Sequence, residues 1–243
     1  MEQKDFVLEF LNDRGLAIFQ PKQGYRFSLD AILLARFATV KKGYKVLDLG
    51  TGSGVIPLLL STREKNLFIQ GVEIQPRLAK LAEANVELNC KQAEIAILEQ
   101  DLNHLPKEWN GKWDLVVSNP PYFKAKAGKI SLGEKAIARH ELKCSLEDVV
   151  QVSARLLKGR GQFALIHRAE RLPEALILLT RPGLAPSRLK LVHPQRGKKA
   201  MLFLLEGVKG AALTLTILPP LIVYDSPGKY SEEMERIYSG LSM

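Results

Sequence analysis

Cysteine is almost missing from this 243-residue sequence. Only Cys90 and Cys144 occur, with no CxxC pair and no histidine at metal-ligand spacing. That argues against a disulfide framework and against a zinc centre. No metal is expected, and the two thiols read as buried or incidental groups in a reducing compartment. Long apolar runs are missing too. The longest, such as "VIPLLL" from Val55, fall far short of the roughly 20 residues a membrane span requires. The N-terminal "MEQKDFVLEF" carries acids where a secretion signal would be basic and then apolar, so a cytoplasmic protein with no membrane partner is expected. Internal repeats and low-complexity segments are absent as well.

What is present is an ordinary mixture, 46% hydrophobic and 25% charged, enough for one core-forming α/β domain. Lysine and arginine outnumber acids 35 to 26, giving a formal charge of +9 and a pI near 9.5, which favours a polyanionic partner. β-Branched and Leu-rich runs at 45–50, 67–74, 94–100, 114–119 and 161–167 read as strands. Helical patterns lie between them. One opens at Pro76 and runs to Asn89; another is capped by Ser145 and runs through Leu157, with Glu147 and Asp148 in its first turn. This alternation predicts an α/β fold with a doubly wound, mainly parallel sheet, whose ligands sit at the carboxyl ends of the strands. The division expected is an extension over 1–44, a core over 45–207 and a small C-terminal appendage over 208–243.

The functional residues should therefore follow the strands. The first core strand ends in "DLGTGSGVIP", where Gly50, Gly52 and Gly54 allow a sharp strand-to-helix turn and a close approach by a ligand. Glu73 ends the next strand, 19 residues after Gly54, and suits a carboxylate that accepts from ribose hydroxyls. Asp48 disfavours a pyrophosphate at this turn but can hold a cation, directly or through water. "DLGTGSG" with "GVEI" resembles the cofactor site of the class I methyltransferases. That resemblance implies a Rossmann-like fold with an antiparallel last strand and S-adenosylmethionine as cofactor. It also implies that Asp101, followed by Leu102, meets the adenine of that cofactor; the plain alternative is that Asp101 caps a turn.

The stretch "VVSNPPY" after the fourth strand is similar to the amino-methyltransferase signature. The side-chain amide oxygen of Asn119 and the carbonyl of Pro120 can both accept from a flat NH₂ group, Pro121 stiffens the loop, and Tyr122 offers a stacking face. An sp² amino nitrogen is a poor nucleophile, so two acceptors that aim its lone pair at a sulfonium methyl lower the barrier without a strong base. The signature alone leaves adenine N6, guanine N2 in rRNA and a protein glutamine amide open. Only 44 residues precede the first core strand, few for the helical recognition domain expected of the glutamine-methylating relatives.

The segments "QPKQGYRFSLDAILLARFA", "NPPYFK", "RHELKCSLEDVV" and "HPQRGKKAMLFLLEGVKG" resemble the tRNA adenine N6-methyltransferases that act beside the anticodon of a valine tRNA. By that resemblance Arg26, Phe27 and Asp30 close over the methionine end of the cofactor, with Ser28 an N-cap; Phe27 and the Leu29, Ile32, Leu33 stripe read equally as core. The partner expected is RNA, with tRNA favoured. Two basic clusters are candidates for its phosphates: Lys124, Lys126, Lys129, Lys135, Arg139 and Lys143 after the signature, and Arg188, Lys190, His193, Arg196, Lys198 and Lys199 around a turn with Pro194 and Gly197. Either cluster could instead be a solvated face. His140, His167 and His193 match neither a metal site nor a triad. The sequence leaves the oligomeric state open.

Overall fold

A computed structural model describes residues 6–11, 15–22, 29–121 and 145–239. It opens with an antiparallel hairpin, β1 (Phe6–Phe10) and β2 (Ala17–Pro21), followed by helix α1 (Leu29–Phe37). The alternating core follows: β3 (Lys45–Leu49), α2 (Val55–Ser61), β4 (Phe68–Glu73), α3 (Pro76–Leu88), β5 (Ile95–Glu99), β6 (Trp113–Ser118), α4 (Leu146–Leu156), β7 (Leu157–Arg168), α5 (Leu172–Thr180), β8 (Leu184–Gln195) and β9 (Leu202–Lys209). The chain ends in β10 (Thr216–Ile217), β11 (Leu221–Ser226), β12 (Lys229–Tyr230) and α6 (Glu232–Tyr238). Ten strands form one sheet in the order β12-β11-β8-β9-β7-β6-β3-β4-β5, with β10 beside β8.

The strands β5, β4, β3, β6 and β7 are parallel neighbours, so their carboxyl ends share one edge. Strand β9 runs antiparallel to both β7 and β8, as the resemblance implied for the last core strand. It follows that β8 points the same way as β3. The segment after Gly210 continues this sheet, because β11 pairs in parallel with β8.

Strand alternation divides the core into two layers. Val46 shares one layer with Leu33, Leu34, Leu58 and Leu59 of α1 and α2, while Leu47 and Leu49 share the other with Val150 of α4, Phe163 and Phe203. Ile32 and Leu33 are buried in the first layer, which is the core reading of that stripe; Phe27 and Ser28 lie outside the described residues. Helix α4 begins where the sequence placed it. Ser145 Oγ accepts from Asp148 N at 3.2 Å and an Asp148 carboxylate oxygen accepts from Ser145 N at 2.8 Å, so two otherwise orphaned donors are satisfied reciprocally. Strand β7 begins at Leu157, earlier than its apolar run suggests, because Leu157 still pairs with Trp113 before an irregularity in register. Of the two readings for the thiols, buried or incidental, Cys90 is not the buried one: it is free and exposed, in a left-handed conformation (φ 52°) just past α3. Cys144 lies outside the described residues. No helix among the described residues is long and apolar enough to cross a membrane.

Candidate active site

The turn after β3 is glycine-built for a measurable reason. Gly50, Gly52 and Gly54 have φ of 78°, 58° and 81°, a region costly for residues with a Cβ. Among the described residues a Cβ on Gly50 would meet no atom within 4 Å, whereas one on Gly54 would lie 3.2 Å from Ala82 Cβ. The first glycine thus leaves room above the strand ends and the third lets α3 pack closely. Backbone donors fix the turn: Gly50 N and Thr51 N both reach Val72 O at 2.9 Å. Glu73, buried at the end of β4, accepts from Gly52 N at 2.9 Å and from Gln75 N at 3.0 Å. Each of its oxygens keeps a second lone pair, the geometry needed to accept from a vicinal diol.

Asp48 is the anomaly of this edge. It is fully buried, and neither carboxylate oxygen has a hydrogen-bond partner among the described residues. Burial pushes its pKa up to about 7; the Thr51 hydroxyl offsets part of the rise without reaching hydrogen-bond geometry, and the charge of Glu73 adds to it. An unmatched buried carboxylate is costly and calls for a partner beyond the described residues. The ammonium and sulfonium of S-adenosylmethionine are such partners, and the open space over Gly50 and the diol-ready Glu73 fit the same molecule.

Asp101 follows β5 and accepts from Asn103 N at 2.9 Å, capping the 3-10 turn Leu102–His104, so the capping role is present in the structure; His104 Nδ1 lies 3.6 Å from its other oxygen. Leu102 is buried beside it. Asn119 leaves β6 next to Gly50, because Ser118 pairs with Leu49 and donates its hydroxyl to Leu49 O at 2.9 Å. Asn119 is half-buried, Pro120 buried and Pro121 exposed. Asp30 sits half-buried in the first turn of α1, where an acid complements the helix dipole. Arg26, Tyr122, Lys124, Lys126, Lys129, Lys135, Arg139, His140 and Lys143 lie outside the described residues.

The second basic cluster divides. Arg188 and Lys190 are not phosphate ligands in waiting. Arg188 pairs with the fully buried Glu206 at 2.8 Å, donates to Thr39 Oγ1 at 2.7 Å and stacks over Phe37, while the buried Lys190 reaches Glu233 of α6 at 2.6 Å. Arg196, Lys198 and Lys199 are exposed on the β8–β9 turn, which His193 braces through a 2.6 Å contact from Nδ1 to Lys198 O. His167 is buried, and burial lowers its pKa to about 4, so it stays neutral and accepts from Arg168 N at 2.8 Å.

Sequence reasoning missed Asn85. Fully buried on α3, it donates to Ser53 O at 2.9 Å and accepts from Phe19 N at 2.7 Å, tying the glycine turn to β2. Four residues on, Asn89 accepts from Ala17 N at 3.0 Å. The available signal was an asparagine on the apolar face that Leu78, Leu81 and Ala82 define.

Comparison with known proteins agrees with this fold. The model of the methyltransferase small domain family matches residues 29–176. A tRNA1(Val) (adenine(37)-N6)-methyltransferase from Porphyromonas gingivalis is 31% identical over 221 residues, covering 87% of this chain and 86% of the relative. One of the same name from Haemophilus influenzae is 30% identical over 209 residues, covering 85% and 87%. Among solved structures, a "predicted O-methyltransferase" from Agrobacterium tumefaciens superposes with a TM-score of 0.71 at 22% identity, covering 88% of this chain and 97% of its own. A geranyl diphosphate methyltransferase in complex with SAM superposes with a TM-score of 0.53 at 12% identity, covering 74% and 84%. Both likenesses are of fold. With a family model spanning more than half its length and relatives matching it nearly end to end, the chain belongs to the methyltransferase small domain family, and its methyl donor is S-adenosylmethionine.

Proposed function

We propose that the protein transfers a methyl group to the N6 amino group of an adenine in tRNA, beside the anticodon, and that Asn119, Pro120 and Tyr122 perform the amino-specific part. The observation that carries the reading is the placement of Asn119: it leaves β6 next to Gly50, where the room for the donor lies. When bound, S-adenosylmethionine supplies an electrophilic methyl on a sulfonium. Asp48 would take its cationic end, Glu73 its ribose, Asp101 and Leu102 its adenine, and Arg26 and Asp30 would close over the methionine end. The Asn119 amide oxygen and the Pro120 carbonyl accept from the target NH₂, turning its lone pair out of the ring's conjugation; Tyr122 stacks on the base; the proton leaves to water after transfer. The names of the relatives support adenine and tRNA over a guanine N2 or a glutamine amide. An anticodon loop is already unpaired, so presenting one base costs less than opening a duplex. Lys124, Lys126, Lys129, Arg139, Lys198 and Lys199 are the proposed phosphate contacts. The setting is cytoplasmic, where tRNA resides and an exposed thiol such as Cys90 stays reduced.

The test is nucleoside mass spectrometry of tRNA from cells with and without the gene. One N6-methyladenosine per valine tRNA should vanish on deletion and return on complementation. An unchanged nucleoside profile would reject the substrate.

A further inference from the structure

The C-terminal strands carry an aromatic row that the methyl-transfer chemistry does not use. On β11, Leu221 and Val223 turn into the core with Met234 and Ile237 of α6, and the half-exposed rings of Tyr224, Tyr230 and Tyr238 pack against that same core. Tyr224 pairs with Tyr230 across β11 and β12, and the rings stack at 5.0 Å with 12° between planes; Tyr238 follows at 5.2 Å. On the other side Tyr224 pairs with Gln195, the last residue of β8, and the exposed Arg196, Lys198 and Lys199 begin at the next position. The β11–β12 turn adds exposed Lys229. Across the two turns, 196–201 and 225–230, four cations face one acid, Asp225.

Both turns lie on the edge that holds Gly50 and Asn119, because β11 parallels β8 and β8 runs in the direction of β3. Four strand spacings separate β6 from β11, about 19 Å at the usual interval. A half-exposed stack of rings, bordered by cations, suits an unpaired nucleotide: the exposed part of the stack takes a base and the cations its phosphates.

Resting on the tRNA reading above, we infer that Tyr224 and Tyr230, with Arg196, Lys198, Lys199 and Lys229, form a second RNA contact that stacks an unpaired nucleotide of the substrate several positions from the methylated adenine. The strands after Gly210 are thereby part of the substrate surface, and their pairing to β8 fixes that surface relative to the catalytic edge.

The test compares parent, Tyr224→Ala, Tyr224→Phe, Tyr224→Leu and the double variant Lys198→Ala/Lys199→Ala, using the full chain and an unmodified tRNA transcript. Methyl transfer by the parent is measured first; its failure would reject the tRNA reading itself, not the second contact. Given an active parent, Tyr224→Ala should bind tRNA about tenfold to hundredfold more weakly, with the KM for tRNA raised and kcat retained. Tyr224→Phe should bind as the parent does. Stacking releases no counterions, so Tyr224→Ala should keep the parent's salt slope, whereas the lysine pair should flatten it by about 0.7 per lost contact. Should Tyr224→Ala unfold, Tyr224→Leu keeps the apolar contact without the ring, and parent-like binding by that folded variant overturns the proposal. So does parent-like binding by folded Tyr224→Ala. A change of oligomeric state in Tyr224→Ala with tRNA affinity intact would assign the face to a second copy and overturn the RNA contact as well.

Discussion

The end of β3 and the middle of β8 both bury charge, and they do so in opposite ways. On β8 the charges are matched: the half-buried Arg188 meets the fully buried Glu206 at 2.8 Å and the buried Lys190 meets Glu233 at 2.6 Å. At the end of β3, Asp48 is equally buried and neither of its oxygens has a partner among the described residues. Matched burial knits elements together; Thr39, β8 and β9 meet at Glu206, and β8 meets α6 at Lys190. Unmatched burial raises the free energy of the folded chain and persists where a ligand supplies the missing charge. The lesson is that a buried charge is read by its partner rather than by its sign or position in sequence.

The largest effect should come from breaking a match. Glu206→Ala leaves Arg188 unpaired and removes the acceptor that Thr39 N reaches at 2.6 Å, so about 3–5 kcal/mol of stability should be lost, seen as a lower midpoint in denaturant unfolding. An unchanged midpoint would show that the pair is ornamental.

Next comes the unmatched group. Asp48→Asn should weaken S-adenosylmethionine by about 1.5–3 kcal/mol in titration calorimetry while leaving the free protein no less stable at pH 8. The sign with pH follows from a carboxyl raised to about 7 in the folded protein against an ordinary value of 3.8. Between those values the folded chain holds the proton that the unfolded chain has lost. The group's contribution is therefore fully present below the ordinary value and is lost as pH rises through about 7. A bound cation reverses the preference, so donor binding should release a proton near pH 6 and tighten toward pH 8. Asp48→Asn should flatten that rise. A pH-independent affinity in the parent would remove Asp48 from the cation's site.

Glu73→Ala should cost about 1–3 kcal/mol of donor affinity by calorimetry, with some stability lost as well, since Gly52 N and Gln75 N lose their acceptor. The smallest effect sharpens the comparison from the other side. Lys190→Met keeps the volume, and its partner Glu233 is 40% exposed, so stability should change by no more than about 1 kcal/mol. A larger loss would mean that this partly solvated pair behaves like the deep one at Glu206.

Much of the candidate site's layout was legible because its signals are local. Parallel strands buried on both faces read as short apolar runs, and the glycines, Asp48, Glu73 and Asn119 stand at their ends, where the topology gathers them. Partnership is not local. Arg188 and Lys190 looked like a basic patch because Glu206 and Glu233 lie 18 and 43 residues away, and no spacing rule joins them. Helix α5, "LPEALILLT", is apolar almost throughout, so periodicity cannot separate it from a strand. The β1–β2 hairpin was missed because "FVLEF" of β1 is largely exposed, and β2 is held by Asn85 of α3 and by Asn89 just past it rather than by a pattern of its own. Asp101 kept both its readings, since the oxygen that accepts from Asn103 N leaves the other carboxylate oxygen beside His104.

The most direct measurement is transfer by the purified protein from labelled S-adenosylmethionine to a valine tRNA transcript, followed by digestion to nucleosides, with Asn119→Ala run alongside. Label should appear as N6-methyladenosine with the parent and fall by about a hundredfold or more with Asn119→Ala, whose donor affinity should stay within a few-fold. Label in 2-methylguanosine or in a protein glutamine, or full transfer by Asn119→Ala, would contradict adenine N6 chemistry at the end of β6.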